Sequence, residues 1–308
     1  MLVIKNLTKK YGDFEVLKGL NFSVKEGSIY GFLGRNGAGK TTTMNILSGL
    51  IDFNEGSVLY RGKNIRNNKR EILRHVGYCP QSPVFYGYMN AYEYLKFVGQ
   101  ISGMDNKTIT ERSEEILKQV GLKEAAKRKL SGYSGGMKQR FGIAVALFNN
   151  PELVFLDEPT SALDPEGRKE ILSLIKKLKE QGITIFLSTH ILNDIERLCD
   201  EVSILDKGKI LISDKLESLK QNYIQPIFDI EIEDNLDKLQ DKLKGLRWVD
   251  KVLIKDNCIS VYVNNAEIAK RELVKEVLME QCILTSLNMR KSNLEDIFIR
   301  MVNQNENI

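Results

Sequence analysis

Gly34-Arg35-Asn36-Gly37-Ala38-Gly39-Lys40-Thr41 follows directly on the apolar run Ser28-Ile29-Tyr30-Gly31-Phe32-Leu33 and leads into residues 42–50, which have helical character and end at a turn around Gly49. The eight residues satisfy the phosphate-loop pattern in full. Backbone N–H groups must close around phosphate oxygens, and side chains would obstruct that approach. The helix that follows turns its positive end toward the same anion. Lys40 then reaches the β- and γ-phosphates and Thr41 ligates Mg²⁺. The bland alternative is a glycine-rich turn that binds nothing. A position between a buried strand and a helix argues against it.

A second segment gains meaning from the first. Leu153-Val154-Phe155-Leu156-Asp157-Glu158 is an apolar strand ending in two carboxylates. Alone, such a pair is a solvated strand end. Beside a phosphate loop it is where Mg²⁺ needs another anchor, which suits Asp157. Glu158 would face the γ-phosphate and orient or deprotonate water.

Around these segments the chain alternates strands with helices, as an α/β core with a largely parallel sheet does. Short strands are expected around Leu2, Ile4 and Leu7 and around Phe22 and Val24. Residues 82–150 read as mainly helical, with Asn90 and Glu93 as a capping box for helix 91–101 and an amphipathic segment at 110–120. Strands return at 153–156, 183–188 and 202–205, and Asp206-Lys207-Gly208-Lys209 reads as a hairpin turn into 210–212. From about residue 222 the order is strand 227–233, helix 236–244, strands 249–255 and 258–263, helix 267–280 and strand 283–289. That β-α-β-β-α-β order suggests a ferredoxin-like unit. A last helix is expected from Ser292, with Glu295 completing a capping box and Leu294, Ile297, Phe298 and Met301 on one apolar face.

The chain has 308 residues, 42% hydrophobic and 28% charged, which is enough for about two globular domains and excludes wholesale disorder. The net charge of +4 is unevenly divided: residues 222–308 carry 12 basic and 15 acidic side chains, leaving +7 on the first 221. No single-sign run forms a nucleic-acid arm. Cys79, Cys199, Cys258 and Cys282 include no CxxC pair, so reduced thiols are favoured over a metal or disulfide framework. No apolar run approaches the ~20 residues of a membrane helix, and the first ten residues do not read as a signal peptide. These features point to a soluble, reduced, intracellular protein.

Tyr133-Ser134-Gly135-Gly136-Met137-Lys138-Gln139-Arg140 resembles the signature motif of ABC-type ATPases, and the family's other motifs follow in order over roughly residues 1–215. Tyr11 matches the adenine-stacking aromatic. Gln81 matches the glutamine that touches Mg²⁺ and the attacking water. Ser161-Ala162-Leu163-Asp164 resembles the D-loop, and His190 in Ser188-Thr189-His190 matches the switch histidine. Outside this set Tyr11 would read as core or surface and Gln81 as solvated. His75 fits no motif and reads as structural or exposed. The chain departs from the common signature at Tyr133 and Met137, which stand where Leu and Gln are usual; this bears on contacts of the fifth side chain. The C-terminal extension and its Asn293-Leu294-Glu295-Asp296-Ile297-Phe298 ending resemble ATPase subunits of bacterial and archaeal ABC-2-type exporters.

The resemblance implies an α/β, P-loop ABC-type nucleotide-binding domain over residues 1–220. It would have a parallel core sheet, an antiparallel β subdomain and a helical subdomain at about 82–150. A small α+β ferredoxin-like domain follows over 221–308, expected to stabilise a dimer or regulate, or else to sense a ligand. ATP and Mg²⁺ are the implied cofactors. Glu158, His190, Gln81 and Lys40 are the implied catalytic residues, and Thr41, Gln81 and Asp157 the metal ligands. ATP contacts are implied for Tyr11, Gly34, Arg35, Asn36, Gly37, Ala38, Gly39, Lys40, Thr41 and Thr42. On the opposite subunit they are implied for Ser134, Gly135, Gly136 and Asp164, with the signature at the start of a helix beginning near Met137.

The expected function is the ATP-hydrolysing motor of an exporter. Its partners would be an integral membrane permease and a second ATPase copy or relative, with no nucleic acid, at the cytoplasmic face of the membrane as a peripheral subunit that is soluble when isolated. The alternatives are a soluble ABC-type ATPase acting on nucleic acid, ribosomes or cluster assembly, and a regulatory ATP sensor. The aromatics Phe85, Tyr86, Tyr88, Tyr92, Tyr94 and Phe97 either dock the permease or pack the helical subdomain.

Overall fold

The computed structural model describes residues 1–223, 226–255, 258–291, 294, 296 and 297. The chain divides into two compact units, Met1–Leu216 and Glu217–Ile308.

The first unit begins with a long hairpin, β1 (Leu2–Tyr11) and β2 (Phe14–Val24), turned at Gly12 with φ +57°. It is followed by β3 (Ile29–Gly34), α1 (Lys40–Leu47), β4 (Glu55–Tyr60), β5 (Lys63–Asn64), α2 (Ile65–Leu73), β6 (Val76–Cys79), α3 (Ala91–Ile101), α4 (Asn106–Gln119) and α5 (Gly135–Leu147). Then come β7 (Leu153–Asp157), α6 (Pro165–Glu180), β8 (Thr184–Thr189), α7 (Leu192–Leu198), β9 (Glu201–Asp206) and β10 (Lys209–Lys215). One antiparallel sheet has the order β2-β1-β4-β5, and the other runs β10-β9-β3-β8-β7-β6. In the second sheet every pairing is parallel except the β9–β10 hairpin.

Strands β3, β7 and β8 are buried at every position, as strands covered on both faces must be. The two sheets share one core. Phe22 of β2 lies 5.5–5.8 Å, centroid to centroid, from Tyr30, Phe32 and Phe186 of the parallel sheet. Each fully buried ring of this kind stabilises the fold by about 1.5–3 kcal/mol relative to exposure.

Local chemistry sets the helix ends. Asn90 Oδ1 accepts from the Glu93 N–H (3.0 Å) and Glu93 Oε2 from the Asn90 N–H (2.8 Å), so the expected capping box starts α3. Helix α4 begins at Asn106 rather than 110, because Asp105 caps it by accepting from Lys107 and Thr108. Helix α1 begins two residues before the expected 42 and ends at Leu47, ahead of Gly49 at φ +73°. The 206–209 turn has Lys207 and Gly208 at φ +44° and +80°, the conformation a two-residue hairpin needs. Helix α2 is short, buries Ile65 and Ile72 on one face, and bends at Asn68, where φ/ψ leave the helical range.

The second unit holds most of α8 (Leu216–Tyr223), then β11 (Pro226–Ile232), α9 (Leu236–Lys244), β12 (Val249–Lys255), β13 (Cys258–Val263), α10 (Ala266–Met279) and β14 (Leu284–Lys291). Its sheet order is β12-β13-β11-β14 with every pair antiparallel, the split βαβ arrangement. Phe228, Ile230, Ile259, Val261, Leu239 and Leu273 form the core. The alternate residues Ile227 and Tyr262 are also buried, as are Leu294 and Ile297. Tyr262 donates to Asp296 Oδ1 (2.8 Å), and Arg290 bridges Asp296 and Asp229. The expected helix start at Ser292, Glu295, Phe298 and Met301 lies outside the described residues.

Candidate active site

Strands β3, β8, β7 and β6 lie side by side and parallel, so their carboxyl ends emerge together. From those four ends come the phosphate loop, His190, the Asp157-Glu158 pair and Gln81. The sequence separates these groups by up to 156 positions; strand order brings them to one edge.

The loop is shaped by its glycines. Gly37 and Gly39 have φ +81° and +109°, and a Cβ on Gly34 would stand 2.5 Å from the Leu205 carbonyl oxygen. A Cβ on Gly39 would strike Leu17 at 2.7 Å, so β2 lies against the loop. The Gly208 N–H braces it from the other side by donating to the Ala38 carbonyl (3.1 Å).

Lys40 is 5% exposed and curls back into the loop, donating to the carbonyls of Gly34 (2.8 Å) and Arg35 (3.2 Å). Its Nζ lies 3.1 Å from Glu158 Oε1, an ion pair not aligned as a hydrogen bond. The other oxygen of Glu158, itself 5% exposed, sits 2.8 Å from His190 Nδ1. Lys40, Glu158 and His190 thus form one chain of contacts across three strands.

Glu158 has φ +47°, a left-handed conformation uncommon for a side chain of this size. Its N–H is held there by the carbonyl and the hydroxyl of Ser188, both at 3.1 Å. Asp157 is buried and accepts from the Ser188 hydroxyl. Beneath it, burial and the Asp157 charge push the Cys79 thiol up to about 12, which keeps it protonated and inert.

Gln81 is exposed and donates to Ser161 Oγ (3.5 Å), while Ser161 Oγ donates to the Glu158 carbonyl (3.1 Å). Thr41 is exposed on the first turn of α1. A Thr hydroxyl, one carboxylate and an amide carbonyl are hard oxygen donors, the kind Mg²⁺ takes when phosphates supply the rest. Among the described residues no cluster of three or more His, Cys, Asp or Glu offers a competing metal centre. The residues present therefore fit both a phosphate chain and Mg²⁺.

The remaining expected residues lie on other elements. Ser134 caps α5, accepting from the Met137 N–H (3.3 Å), so the helix starts at Gly135 and not at Met137. Glycines suit its first turn because those N–H groups have no helical acceptor. Gly136 neighbours Leu163. Asp164 caps α6 by accepting from the Gly167 N–H (3.1 Å). Tyr133 is buried, donates to the Ala125 carbonyl (3.1 Å) and meets Phe141 edge-on, so this departure from the usual signature serves the helical core. Tyr11 is half exposed beside Lys9, and the neighbouring Phe14, which belongs to no motif, is 72% exposed. His75 pairs with Glu152 at 3.3 Å.

The aromatic set divides. Phe85 and Tyr94 pack edge-on against the buried Phe141 at 4.8 and 5.7 Å, and Tyr92 donates to Glu114. Tyr86 (51%), Tyr88 (68%) and Phe97 (38%) remain exposed and touch one another through Tyr86.

The profile of the ABC transporter family matches residues 17–161, and that of the "ATP-binding protein DrrA1-3-like, C-terminal domain" matches residues 215–302. The chain is 39% identical over 302 residues to the bacitracin transport ATP-binding protein BcrA of Bacillus licheniformis, covering 96% of this chain and 95% of that one. It is 33% identical over 304 residues to the linearmycin resistance ATP-binding protein LnrL of Bacillus subtilis, covering 98% of each. Among solved structures, a dimeric ATP-binding cassette in a post-hydrolysis state with ADP and Pi is similar with a TM-score of 0.64. It is 32% identical, and the likeness covers 70% of this chain and 99% of that one.

Proposed function

This chain belongs to the ABC transporter ATP-binding proteins, and we propose that its catalytic centre is the cluster of Lys40, Asp157, Glu158 and His190, completed in trans by the signature of a second ATPase subunit. The chain is an ATPase, the motor subunit of an exporter. Among the described residues no helix is long and apolar enough to cross a membrane. We place the path for the cargo in a separate permease, as membership of the family suggests.

The observation that carries the proposal is the contact chain from Lys40 through Glu158 to His190. Lys40 neutralises the β- and γ-phosphates, exchanging its bond to Glu158 for phosphate oxygens. Glu158 then has an oxygen with which to orient and deprotonate the attacking water. His190 holds the other Glu158 oxygen through Nδ1, which leaves Nε2 for the γ-phosphate. Thr41, Asp157 and Gln81 would hold Mg²⁺, which when bound would supply positive charge against the charge developing on the transferred phosphoryl group. Gln81 also feels the D-loop through Ser161, a route by which the helical subdomain senses the site.

The start of α5 at Ser134 presents N–H groups outward, suited to the γ-phosphate held by a facing subunit. Two copies related by a two-fold axis would each complete the other's site. The exposed ridge of Tyr86, Tyr88 and Phe97 is where we place the permease contact, and this would make the chain peripheral to the membrane. The relatives' names, bacitracin transport and linearmycin resistance, favour an antibiotic as cargo, selected by the permease.

The test is complementation. Lys40→Ala and Ser134→Arg chains are each expected to be inactive. Mixed, they rebuild one complete site per heterodimer and restore roughly a quarter of normal turnover if the two sites work independently. No recovery from a mixture that does dimerise would contradict sharing of the site between subunits.

A further inference from the structure

We propose that Ser188 is a positioning residue of the ATPase: one buried hydroxyl fixes the metal-binding carboxylate and the catalytic glutamate at once. Ser188 is fully buried on β8, in register with Asp157 on one side and Phe32 on the other. It therefore stands between the strand that leads into the phosphate loop and the strand that ends in the two carboxylates. A hydroxyl has one proton to give and can accept in return. Here the proton goes to Asp157 Oδ1, and a lone pair accepts the Glu158 N–H at 3.1 Å. The Ser188 carbonyl accepts the same N–H at 3.1 Å.

The first bond sets the rotation of the Asp157 carboxylate and leaves its remaining lone pairs for the cation. The second ties down the backbone of Glu158 at φ +47°, a conformation that persists only where surroundings hold it. From that backbone position the Glu158 carboxylate spans the 3.1 Å to Lys40 and the 2.8 Å to His190. Ser188 is thus for these two residues what a hydrogen-bonded outer partner is for any metal ligand: it fixes orientation without touching the metal or substrate.

The inference rests on the assignment of Asp157 to the metal, so Asp157→Asn is measured alongside. The probe is Mn²⁺, titrated by paramagnetic resonance into the full-length chain with a non-hydrolysable ATP analogue. Analogue affinity without metal, the Tm, and kcat and KM for ATP are measured on the same samples. Ser188→Ala is expected to weaken Mn²⁺ binding and to lower kcat, each by about 10–100-fold. Analogue affinity without metal, which Lys40 and the loop provide, stays unchanged. Ser188→Thr keeps the hydroxyl and is expected to restore most of both.

An unshifted Mn²⁺ midpoint in folded Ser188→Ala, or Ser188→Thr failing like Ala, overturns the role of Ser188. If Ala does not fold, Ser188→Cys, a weak donor of similar size, is read instead: an intermediate midpoint supports the role and an unshifted one overturns it. If Asp157→Asn also leaves Mn²⁺ binding intact, the assignment of Asp157 itself has failed. Loss of binding in Asp157→Asn alone removes only Ser188.

Discussion

Glu158→Gln separates binding from turnover, and the structure says by how much. Glutamine has the shape of glutamate, and the backbone at this position is anchored by Ser188 rather than by the carboxylate. The amide still faces Lys40, which keeps its bonds to the Gly34 and Arg35 carbonyls, and still meets His190, so the fold and loop survive. In the proposed mechanism, what is lost is the proton acceptor. General-base catalysis contributes typically about 10²–10⁴-fold, so kcat should fall by that factor, about 3–5 kcal/mol of barrier. Binding moves the other way. At 3.1 Å the Lys40–Glu158 attraction is about 5 kcal/mol at an effective dielectric of ~20. ATP must displace that bond, and Glu158 repels the γ-phosphate. Removing the charge lowers both barriers to binding, with solvent absorbing most of the difference, and ATP affinity is expected to hold or rise up to about tenfold. Single-turnover phosphate release and equilibrium ATP binding measure the two effects separately. Turnover within about threefold of the parent, with binding intact, would remove Glu158 from its role.

Two further expectations concern the scaffold. Asp194 is buried, accepts from Thr160 Oγ1 (2.5 Å) and Arg168 Nε (2.8 Å), and so ties the D-loop segment to α6 and α7. Because Arg168 is partly exposed, Asp194→Ala should cost about 3 kcal/mol, the lower end for breaking such a pair, with part regained by adding Arg168→Met; urea unfolding that shows less than about 1 kcal/mol would refute this. Bonds from Thr108, then from backbone N–H groups, hold the Asp105 carboxyl below its usual range, so the cap stabilises fully above the unfolded value of about 3.9 and is lost as pH falls through the lower folded value. Asp105→Ala should lower the urea midpoint at pH 7, and the gap to the parent should shrink below about pH 4; a gap unchanged down to pH 3 would contradict the linkage.

What the sequence discloses here depends on range. The phosphate loop, the Asp157-Glu158 strand end and the Asn90/Glu93 box are local, because their chemistry needs neighbouring residues. The β-α-β-β-α-β order of the second unit is legible because each element carries its own periodicity, and the strand order follows from it. Ser188 is invisible by the same reasoning. A lone serine in a strand signals nothing until β8 lies between β3 and β7, and no local pattern dictates that order. The division of the aromatics likewise needs Phe141, more than 40 residues away in sequence, to show that Phe85 and Tyr94 turn inward while Tyr86 and Tyr88 do not. For Ser134 and Asp164 the resemblance implies nucleotide contacts, and the structure adds that each also caps a helix.

The most direct measurement uses Glu158→Gln, tagged, expressed in its native cells and isolated in mild detergent with ATP. The variant should hold the closed, ATP-bound arrangement, and an exporter motor should retain its permease. Recovery of a polytopic membrane protein, lost on Tyr86→Ala/Tyr88→Ala with the ATPase fold intact, is the predicted result. Recovery of ribosomes, nucleic acid or soluble assembly factors, with no membrane protein, would contradict it.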